Sequence, residues 1–385
     1  MKQILSTLLM VMLASPLFAQ PNPSVSLQTA SLGYPYTQSF TVTAYFNEPV
    51  TGFGLAEINV VNATISNIVN TCDSKFTMTV TPLLPGEITI FVPANVVKSL
   101  STGAPNLVSN KLEITALNPA LNPSGNFDLS LWTLILPLPL GDTGGALTIG
   151  NTTLVGQPII NTGFSQPPYF FTDGITGSMD FFAPLNGATT SGSVYPRSEL
   201  SEYLPSFPHT WTLDSYARNT LTASVTVTQM PPSKKIVIGK IQDKGNADPF
   251  GQITASKPLV KIYYDLNLLD PNGDFCSGCI YARIRPVPAQ DNYLKIVTLA
   301  TNTFLNQLFI YKITLLGDGT LTVKINNTST SYNLNVSPDN TIGWGSQQLF
   351  FKAGVYVPDN GTSSSIGGEA NFYSLQIQHT GDPIY

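Results

Sequence analysis

One stretch of the chain places an arginine among acidic and hydroxyl side chains at intervals of two residues. In an extended strand Arg197, Glu199 and Ser201 point to one face, because successive side chains alternate. On the concave face of a sheet Arg197 could bind a carboxylate in a bidentate manner, with Glu199 orienting its guanidinium. An exposed edge strand with a surface ion pair shows the same pattern. The stretch indicates anion recognition only if other polar strands join it.

A second stretch, residues 236–245, places a cation and an amide in an apolar strand. Lys240 and Gln242 are expected to share a face with Ile238, and Val237 and Gly239 are expected on the opposite face. Amphipathic strands at a protein surface often have this pattern. The stretch therefore supports a binding site only in combination with the others.

A third stretch, residues 348–358, brings a cation and a phenol into one strand. Phe350, Lys352, Gly354 and Tyr356 are expected on the same side. The phenol could carry a proton to or from a bound molecule. The alternative is a buried aromatic ring beside a lysine whose amine reaches water.

The cysteines and histidines are few. Cys276 and Cys279 are expected to form a small disulfide across a turn, with Cys72 unpaired. A zinc site would need more ligands nearby than the two histidines supply. His209, in a loop, is expected to have no catalytic part, and His379 to lie at the periphery. We expect no metal and no cofactor.

The composition predicts an all-β protein that can position such strands. Only 11% of the residues are charged, while Gly and Pro number 30 each among 385 residues, a composition that favours strands joined by tight turns. The length predicts two domains. Residues 127–385 contain many short strands and no sustained helical period, so we expect a two-sheet jelly-roll (concanavalin-like) β-sandwich there.

Residues 20–115 form a separate unit with alternating apolar strands, for example residues 39–46 and 76–80. Segments 45–53, 58–62 and 85–90 resemble bacterial Ig-like modules. The resemblance implies a β-sandwich with a spacer or binding role. An Asn- and Pro-rich stretch, residues 116–126, is predicted to be the linker.

The first residues are typical of a signal peptide. Lys2 precedes an apolar run of about ten residues, too short to span a bilayer, and small residues follow up to Ala19. Residues 1–19 are therefore expected to be removed, leaving a secreted or periplasmic protein. No later segment is apolar enough to be transmembrane, so no membrane partner is expected.

The formal net charge of −5 gives the chain no global attraction for a polyanion. No basic tract or aromatic-basic interleaving is present, so a nucleic-acid partner is not expected. Any anion must be bound by a few locally placed arginines and lysines. The chain is expected to be a monomer.

The second domain resembles polysaccharide lyase family 7, the alginate lyases, over nearly its whole length. The resemblance rests on ordered motifs: residues 127–137, residues 181–190, the Arg-Ser-Glu-Leu motif at 197–200, and residues 351–356. It implies a jelly-roll enzyme whose partner is an acidic polysaccharide. The family's catalytic Arg and Tyr fall on Arg197 and Tyr356.

The sequence differs from the family's motifs at three positions. Lys240 stands at the family's Gln position, Gln242 at its His position, and Ser201 where a second Arg often follows. The departures leave the fold unaffected and place the substrate and the base in question. The residues predicted to be catalytic are Tyr356, Arg197, Gln242 and Lys240, and those predicted to bind substrate are Glu199, Lys352, Tyr195 and Ser201.

The resemblance implies β-elimination at a uronate, which needs a neutralised carboxylate, a base for the C5 proton and an acid for the leaving O4. Arg197 and Lys240 are the expected neutralisers, and Gln242 the hydrogen-bond donor to the same carboxylate. Tyr356 is the expected proton carrier, with its pKa lowered by the cations around it.

The missing histidine predicts the substrate. In β-linked mannuronate or glucuronate the C5 proton and O4 lie on the same side, so one Tyr can serve both. Guluronate needs a second group opposite the Tyr, which Gln242 cannot supply. We expect cleavage of mannuronate-rich alginate or glucuronan in preference to polyguluronate. The alternatives are a non-catalytic polysaccharide-binding pseudo-lyase and a surface adhesin.

Overall fold

A computed structural model describes residues 22–381 except 158–160, 207, 246, 252–254, 270–272, 274 and 290–294. The predicted leader, residues 1–19, lies outside the described residues. Regular structure in the described part is almost all strand, as the composition predicts. No helix in these ranges has the length and apolar character needed to cross a bilayer.

The first domain is a small β-sandwich. Its strands bury alternate residues; in the third strand Val42 and Ala44 are fully buried while Thr41 and Tyr45 face solvent. One short 3₁₀ turn, Leu55–Glu57, interrupts it. The strands are β1 (Val25–Thr29), β2 (Gly33–Pro35), β3 (Phe40–Phe46), β4 (Val50–Thr51), β5 (Asn59–Val61), β6 (Ala63–Cys72), β7 (Lys75–Pro82), β8 (Gly86–Phe91), β9 (Lys98–Ser99) and β10 (Leu112–Leu117).

These strands form two four-stranded sheets, in the orders β1-β3-β7-β6 and β2-β10-β8-β5, with β4 and β9 as a separate pair. The sheets enclose one apolar core. An Ig-like sandwich was expected over this segment, and the observed architecture agrees.

The second domain is a larger two-sheet sandwich. It contains two short helices, α1 (Pro123–Asn126) and α2 (Asn151–Val155), and a 3₁₀ turn, Gly141–Thr143. Its strands are β11 (Trp132–Pro139), β12 (Ala146–Ile149), β13 (Phe170–Thr172), β14 (Met179–Pro184), β15 (Arg197–Glu202), β16 (Arg218–Gln229), β17 (Lys235–Asp243), β18 (Pro258–Asp265), β19 (Cys279–Ile284), β20 (Lys295–Ala300), β21 (Phe309–Leu316), β22 (Thr320–Ile325), β23 (Thr328–Asn333), β24 (Leu349–Tyr356) and β25 (Gly367–Thr380).

The order of strands in the two sheets decides which side chains can meet. An eight-stranded sheet runs β12-β11-β15-β24-β17-β18-β19-β20, and a seven-stranded sheet runs β13-β14-β25-β16-β21-β22-β23. Leu200, Ile241, Phe351 and Val355 from the first sheet belong to the core between the sheets. The alternate residues of the same strands face outward, which leaves the polar stretches on the outer face of the eight-stranded sheet.

The two domains are joined by backbone contacts as well as by the chain. Strand β10 continues to Leu117, which already belongs to the core of the second domain. The Leu32 N–H donates to Ser224 Oγ at 2.9 Å. A Cβ at Gly33 would lie 1.5 Å from the carbonyl oxygen of Tyr373 in β25, so only glycine permits this approach. The first domain therefore packs against the seven-stranded sheet, opposite the polar face.

The cysteines are arranged as predicted. Cys276 and Cys279 form a disulfide at the start of β19. Cys72 is exposed and lies outside any disulfide.

Candidate active site

The three polar stretches of the sequence lie on three adjacent strands. Arg197 of β15 is directly opposite Tyr356 of β24, and Ser201 is opposite Lys352. On the other side of β24, Lys352 is directly opposite Lys240 of β17. The predicted alternation in β15 and β24 is confirmed, because Leu200, Phe351 and Val355 lie in the core. The structure thus brings a guanidinium, two amines and a phenol onto one face.

The predicted alternation in β17 is wrong before Lys240. Val237 lies on the outer face in a cluster of tyrosines, and Ile238 belongs to the core. The register shifts between Val237 and Gly239, as in a β-bulge, where one extra residue is inserted in a strand. Gly239 fits there because a Cβ would lie 2.8 Å from the ring of Tyr311. After the bulge, Lys240 returns to the outer face.

One carboxylate sits among three cations beneath this face. Glu199 pairs with Lys352 Nζ at 2.8 Å and Lys240 Nζ at 2.9 Å, and with Arg197 Nη1 at 3.7 Å. None of these side chains is more than 10% exposed. Glu199 was expected to orient the guanidinium, but its closest partners are the two lysines. Three positive groups and one negative group leave a net charge of two when all are ionised.

Burial works against this excess charge. It lowers the pKa of Lys240 well below its usual value, and that of Lys352 also, although Glu199 partly opposes both shifts. Burial alone would raise the pKa of Glu199, but Lys240, Lys352 and Arg197 together hold it below its usual range. A second carboxylate would offset one of these two excess charges, and a uronate carries one.

Tyr356 lies against the same cations. The guanidinium carbon of Arg197 is 4.7 Å from the ring centroid, and Nζ of Lys240 and of Lys261 are at 4.9 Å and 5.3 Å. The predicted lowering of its pKa is nevertheless wrong: burial raises the pKa of Tyr356, and the hydrogen bond to Ser193 and the charge of Arg197 only reduce the rise. The phenol is therefore protonated near neutral pH.

The cations and the phenol open into a cavity of about 440 Å³. Gln242 reaches it too, and its Nε2 donates to Ser256 Oγ at 3.0 Å. An amide NH₂ has a second N–H, which remains available for a sugar oxygen. The residues lining the cavity are Ile135, Thr190, Gly192, Ser193, Arg197, Lys240, Gln242, Ala255, Ser256, Pro258, Lys261, Phe350, Lys352 and Tyr356.

Three of the predicted substrate-binding residues do not line the cavity. Glu199 is the buried counter-ion described above. Tyr195 packs the edge of its ring against Tyr356, with centroids 6.2 Å apart. Ser201 shares the face with Lys352 but does not belong to the lining. Tyr195 and Glu199 are placed to position other side chains rather than to contact a sugar in this cavity.

His209 lies in a loop, as predicted. Its Nε2 is 2.9 Å from the Tyr203 hydroxyl, its Nδ1 is 2.6 Å from the Leu204 carbonyl oxygen, and its ring stacks on Tyr203. It does not line the cavity.

The prediction that His379 is peripheral is wrong. Its Nε2 is 2.6 Å from Glu202 Oε1, its Nδ1 is 2.6 Å from Asn219 Oδ1, and its side chain is 9% exposed. Because β25 is an inner strand of its sheet, even a residue near its end is covered by the facing sheet. The other Glu202 oxygen accepts hydrogen bonds from the Trp211 indole and from the Phe351 N–H of β24. His379 thus ties β25 to the back of the cation-bearing strands.

The residues of this face that were not predicted include Ser193, Lys261 and Arg283. Lys261 and Arg283 each interrupt a strand that is otherwise apolar, and that pattern was present in the sequence. Ser193 lies in the loop before β15 and offered no such pattern.

Comparisons with known proteins agree with this architecture. The family model of the alginate lyases matches residues 127–379, and that of a bacterial Ig-like domain matches residues 19–115. Among solved structures, alginate lyase PA1167 from Pseudomonas aeruginosa is 30% identical at a TM-score of 0.52, covering 66% of this chain and 100% of that one. A search of curated proteins found no match.

Two further solved structures are similar. Alginate lyase A1-II′, a member of polysaccharide lyase family 7, is 28% identical at a TM-score of 0.53, covering 67% of this chain and 99% of that one. The alginate lyase from Corynebacterium sp. is 25% identical at a TM-score of 0.50, covering 68% and 100%. The match to the family model spans most of the chain and includes all three strands of the cation cluster. The chain therefore belongs to the alginate lyase family and is a polysaccharide lyase with a bacterial Ig-like domain before its catalytic sandwich.

Proposed function

We propose that this lyase cleaves a β-1,4-linked uronic-acid polymer, mannuronate-rich alginate or glucuronan, by β-elimination. The observation that carries the proposal is the buried excess of positive charge beside Tyr356. Arg197, Lys240 and Lys352 share a single carboxylate, Glu199. A neutral sugar would leave both excess positive charges unpaired, whereas a uronate carboxylate would offset one of them.

The residues divide the chemistry among them. Arg197 and Lys240 neutralise the uronate carboxylate, which makes its C5 proton acidic. Gln242 donates a hydrogen bond to the same group. Tyr356, on the same face, removes the C5 proton as the phenolate and returns it to O4 as the phenol. The O4–C4 bond breaks as the C4–C5 double bond forms, so the products are a new non-reducing unsaturated uronate and a chain ending in a free hydroxyl.

The stereochemical preference follows from the single proton carrier. The C5 proton and O4 of mannuronate or glucuronate lie on one side of the ring, within reach of one phenol. In guluronate they lie on opposite sides, so a second base is needed. Gln242 occupies the family's His position, and a carboxamide cannot accept that proton.

The test compares purified polymannuronate, glucuronan and polyguluronate, with the absorbance of the unsaturated product as the readout. We expect turnover of the first or second substrate to exceed that of polyguluronate. Fastest cleavage of polyguluronate would refute the preference. Binding of all three without absorbance would favour a carbohydrate-binding protein that has lost catalysis.

We also propose that the enzyme acts outside the cytoplasm. The leader-like residues 1–19 and the Cys276–Cys279 disulfide support an oxidising compartment. Fractionation of an expressing cell, with the mass of the mature chain, tests this. A mature protein that retains residues 1–19 in the cytoplasm would contradict it.

A further inference from the structure

Four cations form a row across the outer face of the eight-stranded sheet. They are direct cross-strand partners on β24, β17, β18 and β19: Lys352, Lys240, Lys261 and Arg283. Adjacent strands are about 4.8 Å apart, so the row extends roughly 14 Å. Like charges directly opposite each other destabilise a sheet. A row of four suggests that an extended anion lies along it.

The internal counter-ion serves only one end of the row. Glu199 pairs with Lys352 and Lys240. Within the residues that the structure describes, neither Lys261 nor Arg283 is paired with a carboxylate. The Nε of Arg283 is moreover buried without a hydrogen-bond partner.

The far end of the row has its own cavity. A space of about 160 Å³ is lined by Pro258, Lys261, Arg283 and Arg285. Pro258 and Lys261 also line the cavity that contains Tyr356, so the two spaces adjoin. Arg285 is buried, and its Nε donates to the Pro258 carbonyl oxygen at 3.3 Å. Three cations therefore converge on one small cavity next to the catalytic one.

The surroundings of Lys261 disfavour its charged form. Burial and, to a smaller extent, the charge of Arg283 lower its pKa to about 8, while Glu199 opposes the shift. An anion in the cavity would favour the ammonium form.

We propose that Lys261, Arg283 and Arg285 form a second carboxylate site, which binds the uronate adjacent to the one held at Arg197 and Tyr356. The inference rests on the proposed function and narrows it: the enzyme requires two consecutive charged sugars. One strand spacing is close to the rise of one sugar in an extended pyranose chain, so neighbouring carboxylates can reach neighbouring cations of the row. A polymer in which charged and neutral sugars alternate would fill only one of the two sites.

The first experiment uses the wild-type enzyme and polymannuronate whose carboxylates have been reduced to alcohols to a graded, known extent. If two neighbouring carboxylates are needed, kcat/KM falls as the square of the remaining charged fraction. A fall in simple proportion to that fraction would overturn the second site. Glucuronan, treated in the same way, replaces polymannuronate if it is the better substrate.

The second experiment compares Arg283→Gln with Arg218→Gln. Arg218 is an exposed arginine of the seven-stranded sheet, so its replacement removes the same charge at a site away from the two cavities. Losing one charge-assisted hydrogen bond should raise KM by about tenfold or more, with kcat little changed. For Arg283→Gln, kcat/KM should fall in simple proportion to the charged fraction of the polymer, because only one carboxylate site remains. Kinetics identical to those of Arg218→Gln would reject the proposal.

The outcomes separate the two proposals. If the wild type forms no unsaturated product from any unreduced uronate polymer, the proposed substrate is wrong. Calorimetric binding of the polymers with graded carboxylate reduction then still measures whether two carboxylates are bound. If the wild type is active but its kcat/KM falls in simple proportion to the charged fraction, the proposed substrate is retained and the second site is rejected. Should Arg283→Gln fail to fold, the wild-type series decides alone.

Discussion

Tyr356 is the residue at which chemistry and binding can be separated. Its ring packs under Arg197 and Lys240, and its hydroxyl is the only part that Tyr356→Phe removes. We expect kcat to fall by about 10²–10⁴-fold, the usual contribution of a positioned acid or base. Binding of the polymer, measured by calorimetry, should change little.

Tyr332→Phe, on the seven-stranded sheet, is the matched control and should behave as wild type. Cleavage by Tyr356→Phe at the wild-type rate would rule out this phenol as the proton carrier.

The pH dependence follows from two buried groups with opposite shifts. Burial raises the pKa of Tyr356, so the phenolate fraction and hence kcat should rise as pH increases into the alkaline range. Lys261, with a pKa of about 8, loses its charge as pH rises through that value, so KM should rise there. The charged groups that face Lys261 are Lys240, directly opposite on β17, together with Arg197, Arg283, Arg285 and the anion Glu199. We expect kcat/KM to pass through a maximum on the alkaline side.

Lys261→Arg tests the second half of this prediction, because a guanidinium stays charged throughout. Its KM should stay level where that of the wild type climbs. A wild-type KM that is constant across the range would show that Lys261 does not contact the substrate.

Gln242 is the residue expected to set the substrate preference. It lines the cavity and donates to Ser256 Oγ, and the sequence resemblance predicts that it replaces the family's His. Gln242→His would add a group that can accept the C5 proton on the side opposite Tyr356. We expect measurable cleavage of polyguluronate by this variant, with Gln242→Asn, which keeps an amide, remaining inactive on it. Equal inactivity of both variants would show that the preference has another origin.

Among the elements, strand β25 of one sheet and strand β15 of the other are joined by one buried histidine. His379 and Glu202 are in contact at 2.6 Å, and Glu202 also accepts the Phe351 N–H beside Lys352. His379→Ala leaves a buried carboxylate without one of its partners, which costs about 3 kcal/mol of unfolding free energy. Denaturant titration measures this, and kcat of the folded enzyme should change far less than in Tyr356→Phe.

His209→Ala serves as the comparison, since that histidine is bonded to Tyr203 and Leu204, away from the buried pair, and its loss should have a smaller effect on stability and none on kcat. A larger loss of stability in His209→Ala than in His379→Ala would contradict the role assigned to the buried pair.

The elements also show how far the sequence could be read. The alternation of side chains along a strand correctly predicted that Arg197 and Glu199 share a face, as do Lys352 and Tyr356, because β15 and β24 are regular strands. It failed at Val237, because a bulge inserts a residue without any change in composition. The pattern of β18 marks Lys261 as a charge in an apolar strand, but only the strand order shows that it lies beside Lys240. The pKa of Tyr356 depends on burial, which a strand pattern does not report.

At the scale of the whole molecule, the two domains are coupled through Gly33. An added methyl group would collide with the backbone of Tyr373, which cannot move without disturbing β25. We expect Gly33→Ala to weaken the junction by about 1–3 kcal/mol, typical of overpacking. Scanning calorimetry should then resolve separate unfolding of the two domains, where the wild type unfolds more cooperatively.

Gly54→Ala, in the first domain but away from the junction, is the control. Lyase activity should be unchanged in both variants, because the groove lies on the opposite sheet. Loss of activity in Gly33→Ala alone would instead show that the junction supports the groove.

The contact between Glu202 and the Phe351 N–H joins residues 149 positions apart in the chain. Ordering so long a loop before any contact compensates it makes such a pairing a late event in folding. Strand β24 follows all but one of the other strands that the structure describes, so Lys352 and Tyr356 join Arg197 and Lys240 only late in synthesis. The active site can therefore be complete only after nearly all the described strands have been made, a timing imposed by topology without any inhibitor.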